Sequence, residues 1–159
     1  MRSEHDADQT RIVADADVLA ADALVGGPSR SALDVLRSHS WLELVVTEPL
    51  VDDAAAVIET LSDGELVGDW RGKIEGLATV VEQPEGDHPA LAAAYRGNAM
   101  HVISLDERLQ SSKAGAGLKG ALDVSIRSPD AFLTVVDPET IYELVFEAPY
   151  PGPDRDSRA

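Results

Sequence analysis

Short apolar runs alternate with helix-period stretches along this chain, and that alternation is the strongest constraint on its fold. Arg11 to Ala14 reads as a short buried strand, Trp41 to Thr47 as a second, His101 to Leu105 as a third and Asp123 to Arg127 as a fourth. Between them the apolar positions recur at helical spacing. Val18 to Val25 is one such stretch, and Ser29 or Ser31 can cap another that runs to about His39. After Pro49, the positions Leu50, Ala54, Val57, Ile58 and Leu61 mark one face of a helix. Ile74, Leu77, Val80 and Val81 predict a helix over 71–83, and Pro89 starts another that Gly97-Asn98 closes. Glu107 to Gln110 and Pro129 to Val136 read as short helices, whereas 138–147 fits helix or strand. Strands separated by helices predict an α/β protein, a three-layer α/β/α sandwich around a central, mostly parallel sheet of four or five strands. One domain is expected at 11–148, between a disordered segment at 1–10 and a disordered Pro-rich tail at 149–159.

Composition narrows the function classes. There is no cysteine, which removes disulfide frameworks and thiolate metal sites. No apolar run approaches the ~18 residues of a membrane span, so no membrane partner is expected. Met1 to Thr10 has neither the positive flank nor the apolar centre of a signal peptide, and a cytoplasmic location follows. The 29 acids against 13 bases give a formal net charge of −16. Such a surface repels itself and polyanions in ordinary buffer. The acids are spread evenly, Lys occurs only at 73, 113 and 119, and Ala is abundant. That pattern resembles proteins of extreme halophiles, in whose cytoplasm charge is screened within ~3 Å at 1 M salt.

Four acidic motifs stand where this fold would gather them: Asp15-Ala16-Asp17, Asp52-Asp53, Asp87 and Asp106. Asp15 and Asp106 each follow an apolar strand, while Asp53 and Asp87 open helices. Acids at strand ends and helix starts converge at one edge of an α/β sheet. Converging carboxylates repel one another and commonly share a divalent cation. Taken singly, each of these acids has an ordinary alternative as a solvated surface group or a helix-start acid.

In this order the motifs resemble the PIN domain family of nucleases. Ile12-Val-Ala-Asp15-Ala-Asp17 is similar to its opening strand and acid motif, with Asp in the third place. Val45-Val-Thr47 followed by Asp53 matches the strand, hydroxyl residue and second acid. Asp87-His-Pro-Ala-Leu91-Ala-Ala-Ala94 matches the third acid and its helix, and Val102-Ile-Ser104-Leu-Asp106 the fourth. Val124 to Leu133 looks like the closing strand, Pro and helix. The resemblance covers roughly 11–136. It departs at the second acid, usually Glu, where Asp52 and Asp53 compete, and at Arg108, where a further acid is common.

The resemblance implies a metal-dependent ribonuclease. Asp15, Asp87 and Asp106 would hold Mg²⁺ or Mn²⁺, and Asp53 would orient a ligated water or complete a second site. Asp52 is the alternative to Asp53. Ser104 would hydrogen-bond the fourth carboxylate or a phosphate oxygen, and Asp17 would cap the following helix beside the site. Arg108, Lys113 and Lys119 lie just past Asp106 and are candidates for RNA phosphate contacts. Small prokaryotic PIN proteins are often toxins paired with an antitoxin and often dimerise, so an antitoxin-like partner and a homodimer are implied.

Two other readings compete. One is a PIN-like scaffold that binds without cutting. The other is a haloacid-dehalogenase-type phosphatase, in which Asp15 would be the nucleophile and Asp17 the acid/base. Of the histidines only His88, beside Asp87, is placed to join the site, and solvation at a helix start is its simpler role. Trp41 and Trp70 read as packing residues.

Overall fold

The computed structural model describes residues 8–82, 88–110 and 124–157. Five strands, β1 (Asp8–Ala14), β2 (Glu43–Val46), β3 (Ala78–Val80), β4 (Ala99–Ile103) and β5 (Ser125–Arg127), form one sheet in the order β3-β2-β1-β4-β5. Every neighbouring pair is parallel. The intervening helices are α1 (Ala16–Leu24), α2 (Gly27–Arg37), α3 (Glu48–Leu61), α4 (Gly64–Leu77), α5 (Pro89–Gly97) and α6 (Glu107–Gln110); α7 (Pro129–Val135) and α8 (Pro138–Phe146) follow β5. The α/β/α sandwich expected from the alternation is therefore present. No helix among the described residues is long and apolar enough to cross a membrane.

Parallel crossovers are right-handed. The chain steps from β1 to β2 to β3 in one direction, which carries α1 to α4 over one face. It then returns across the sheet to β4, which carries α5 over the other. Parallel strands covered on both faces should be apolar throughout. Ile12, Val13, Ala14, Leu44, Val45, Val46, Val102 and Ile103 are all buried accordingly. The scarcity of aromatics is met by close approach: Ala90, Ala92, Ala93 and Ala94 of α5 are fully buried. Gly97 ends that helix where a Cβ would meet Val45 Cγ1 at 2.5 Å. Asn98 then turns the chain in the left-handed region at φ 56°, a conformation Asn tolerates at a helix C-terminus.

Three expectations need correction. The helix predicted over 71–83 stops at Leu77, because Thr79 and Val80 are β-branched and continue as β3 beside β2. The sheet starts at Asp8, so residues 8–10 are ordered strand, with Asp8 N–H bonded to Asn98 O at 2.7 Å. The C-terminal segment docks against the rest of the chain. Tyr150 Oη lies 2.6 Å from His39 Nε2, and Asp154 N–H donates to Ser38 O at 2.9 Å. Arg155 Nη2 donates to the Leu36 and His39 carbonyls at 3.1 and 3.2 Å, adding a second donor to acceptors at the end of α2. Of residues 138–147, open between helix and strand in the sequence, Pro138–Phe146 form α8.

Candidate functional site

β1 lies at the centre of the strand order, with its sequence successor β2 on one side and β4 on the other. The chain's direction of travel reverses there, and the crevice beyond the carboxyl ends of such strands is the usual ligand position in an open α/β sheet. Ala14 pairs with Ile103, so Asp15 and Ser104 are the next residues out, side by side. Asp15 N–H donates to Ile103 O at 2.8 Å and ties the ends of the two strands together.

The side chains converge at this edge. Asp15 is buried, and one of its oxygens accepts the Ala16 N–H at 2.8 Å at the start of α1. Its other oxygen accepts the Ser104 hydroxyl proton at 2.8 Å. Ser104 Oγ, fully buried, also accepts the Asp106 N–H at 3.0 Å. Asp17 accepts the Leu105 N–H at 3.3 Å. One serine hydroxyl and three backbone N–H groups thus hold Asp15, Asp17 and the Asp106 backbone around one place. The cost appears at Asp17. Burial first, then the charge of Asp15, with a smaller push from Asp106, raises its carboxyl above the ordinary 3.8.

The remaining predicted residues divide. Asp52 is exposed and bound to Arg71 Nη2 of α4 at 2.7 Å, with Glu48 on the same guanidinium at 3.2 Å. Asp53 is exposed on α3. The buried face of α3 is Leu50, Val51, Ala54, Ala55 and Ile58, while Val57 and Leu61 are exposed. The apolar stripe is therefore rotated from the one the spacing suggested. Arg108 faces solvent, its Nε 3.7 Å from Asp106 Oδ1. Asp87, Lys113 and Lys119 lie outside the described residues. Among the described residues, no group of three or more acid, His or Cys side chains is arranged to chelate an ion. The acids gathered here offer oxygen atoms only, the donor type that hard divalent cations take.

A family model described as a family of unknown function, DUF7384, matches residues 6–158, almost the whole chain. The chain belongs to that family. No curated protein and no solved structure matches it.

Two further features of this DUF7384 chain bear on the site, the first at the histidine that the sequence placed beside Asp87 and the second unmarked in the sequence. His88 caps α5 through its side chain and brings Nε2 to 3.9 Å from Asp15 Oδ2. Its adjacency to Asp87 was the available signal. Asp22, buried on α1, pairs with Arg37 of α2, and Arg37 also holds Asp34 at 3.0 Å. Arg30 adds a bond to the Asp22 carbonyl at 2.7 Å. This network lines a concavity of about 670 Å³ with Trp70, Lys73 and Arg155, away from the acidic edge. Arg30, Arg37 and Arg155 there already bind Asp22 or backbone carbonyls.

Proposed function

We propose that this protein is a PIN-like, metal-dependent ribonuclease whose centre is the acidic edge beyond β1 and β4. The observation that carries the reading is the Ser104 bridge. A single buried hydroxyl bonds Asp15 and the backbone of Asp106, the first and fourth acids of the resemblance, at the sheet's switch point. Asp15 and Asp106 would hold Mg²⁺ or Mn²⁺, with Asp17 beside them and Asp87, one residue before His88, included on the resemblance. When bound, such an ion lowers the pKa of a ligated water and neutralises charge developing on a phosphate.

The chain's own contribution is positional. Ser104 fixes the rotation of the Asp15 carboxylate, and the Ala16 N–H holds its second oxygen. The Arg108 N–H holds Asp106 Oδ1 at 2.9 Å. Fixed oxygen ligands reduce the reorganisation that binding an ion requires. Asp53, exposed on α3, and Asp52, paired with Arg71, are left out of the proposal. RNA is the substrate of this reading. A cytoplasmic location, an antitoxin-like partner and a second copy of the chain are further parts of it.

The test is cleavage of a mixed-sequence RNA by the full chain in high salt with Mn²⁺. Cleavage that EDTA abolishes and that Asp15→Asn and Asp106→Asn each lower by ~10²-fold or more is expected, as for residues that hold a catalytic ion. Mn²⁺ binding without cleavage would leave a PIN-like binding protein. Turnover of a small aryl phosphate by the wild type would indicate the phosphatase.

A further inference from the structure

We infer that the concavity between α1, α2, α4 and the C-terminal segment binds a small organic phosphate monoester, its phosphate held by Lys73, Arg155 and the Trp70 indole N–H. The site is separate from the acidic edge and independent of any metal there. Its volume of about 670 Å³ is that of a small-molecule pocket. Arg30, Arg37, Lys73 and Arg155 line it, four of the 13 bases in a chain that carries 29 acids. An anion, repelled by the surface as a whole, meets the least opposition here.

The bonds within the network leave donors and charge over. Asp22 is committed to Arg37. Arg30 donates to the Asp22 carbonyl at 2.7 Å and stands 4.0 Å from its carboxylate. Arg155 binds the carbonyls of Leu36 and His39, which are neutral. Lys73 is exposed and makes no hydrogen bond or ion pair among the described residues. Trp70 is only 6% exposed, and its buried indole N–H has no acceptor. An unmade buried donor costs free energy, and native folds rarely leave one. A phosphate monoester carries three terminal oxygens and a charge of about −1.5 to −2, enough for an ammonium, a guanidinium and an indole N–H together. The space exceeds what a bare phosphate fills, and Ala23, Leu66 and Leu77 give an organic body apolar wall. Asp69 and Asp156, also on the lining, are acceptors for hydroxyls on that body. α4 contributes Gly72 and Gly76 to the wall, and a Cβ at either would meet nothing within 4 Å. Glycine is the costlier choice in a helix interior, and here it keeps the concavity open.

The indole N–H signals of the ¹⁵N-labelled full chain, recorded in EDTA and high KCl, read the site without the metal edge. The chain has two tryptophans, and Trp70→Phe assigns the pair. Adenosine 5′-monophosphate is the probe. A saturable downfield shift of the Trp70 signal is expected, with Trp41, packed against Tyr142 and Phe146, unmoved. Lys73→Gln should weaken binding roughly tenfold, the loss of one charge-assisted hydrogen bond. Gly76→Leu should abolish binding while the melting temperature holds or rises, since Leu has open space there and is the better helix former. Orthophosphate should bind roughly tenfold more weakly than the monophosphate, for want of the body's contacts, and adenosine should not bind. No shift at millimolar monophosphate, or a folded Gly76→Leu that binds like wild type, would overturn the inference. Orthophosphate binding as tightly as the monophosphate would contradict the organic ligand, and adenosine binding as tightly would contradict the phosphate contact.

Discussion

The Ser104 hydroxyl donates to Asp15 at 2.8 Å across the boundary between β1 and β4, joining residues 89 positions apart in the chain. Both groups are buried, and each is the first residue beyond its strand. The fold and the candidate chemistry meet at this bond, because the register that pairs Ala14 with Ile103 also sets the two side chains against each other.

Ser104→Ala should cost about 1–3 kcal/mol, the penalty for leaving a buried acceptor without its donor. It should also weaken Mn²⁺ binding, because Asp15 is freed to rotate. Urea melts and a Mn²⁺ titration check the two effects separately.

Asp17→Asn should stabilise the metal-free protein at neutral pH. The folded-state carboxyl is raised above 3.8 by burial and by Asp15, so the fold binds its proton more tightly than the unfolded chain does. Stability from this group is present below 3.8 and lost as pH rises through the folded value. The variant's advantage over wild type should therefore vanish in acid. Paired urea melts in EDTA at neutral and acidic pH read the difference; an advantage that persists unchanged in acid would contradict it.

His101 gives the opposite dependence. It is buried on β4 with its ring 6.2 Å from Phe132, and burial, helped by the Arg127 charge, lowers it from 6.5 to about 4. The fold prefers the neutral ring. Stability is full above 6.5 and is lost as pH falls from 6.5 towards 4, by an amount on the order of 3 kcal/mol. His101→Leu should flatten that part of the stability-against-pH curve, measured by denaturant midpoints across the same window.

Removal of residues 149–159 should cost about 3 kcal/mol, from bonds of about 1 kcal/mol each made by Tyr150, Asp154 and Arg155 to the end of α2. Tyr150→Phe should lose about a third of that. Equal midpoints for the full and shortened chains would contradict the docked arrangement.

Much of the sheet was legible because a parallel strand buried on both faces leaves a continuous apolar run, as at Ile12 to Ala14 and Val102-Ile103. Asp15, Ser104 and Asp106 were legible for the same reason, since each stands just beyond such a run. Asp53 was not placed by this logic. It sits on a helix, where a small rotation decides which positions are buried, and α3 buries Val51 and Ala55 where the spacing pointed to Val57 and Leu61. β3 was hidden because Ile74, Leu77 and Val80 fit a helical face even though the chain leaves the helix after Leu77. The docked tail was invisible because its bonds reach partners more than 110 positions away. The cap that the His88 ring puts on α5 depends on a side-chain orientation that no spacing records.

The net charge of −16 bears on conditions as well as on substrate. Surface repulsion should make the fold depend on screening. The melting temperature should rise by roughly 10 °C between about 0.1 M and about 2 M KCl, equivalent to a gain of ~3 kcal/mol. A flat response would contradict adaptation to a salt-rich cytoplasm.

The central claim, a shared cation at the carboxyl edge of the sheet, is tested most directly by an anomalous-difference map from a crystal soaked in Mn²⁺ at high salt. A peak between Asp15 and Asp106, lost in Asp15→Asn, is the predicted result. A map with no peak there, the Ser104 bond to Asp15 intact, would contradict it.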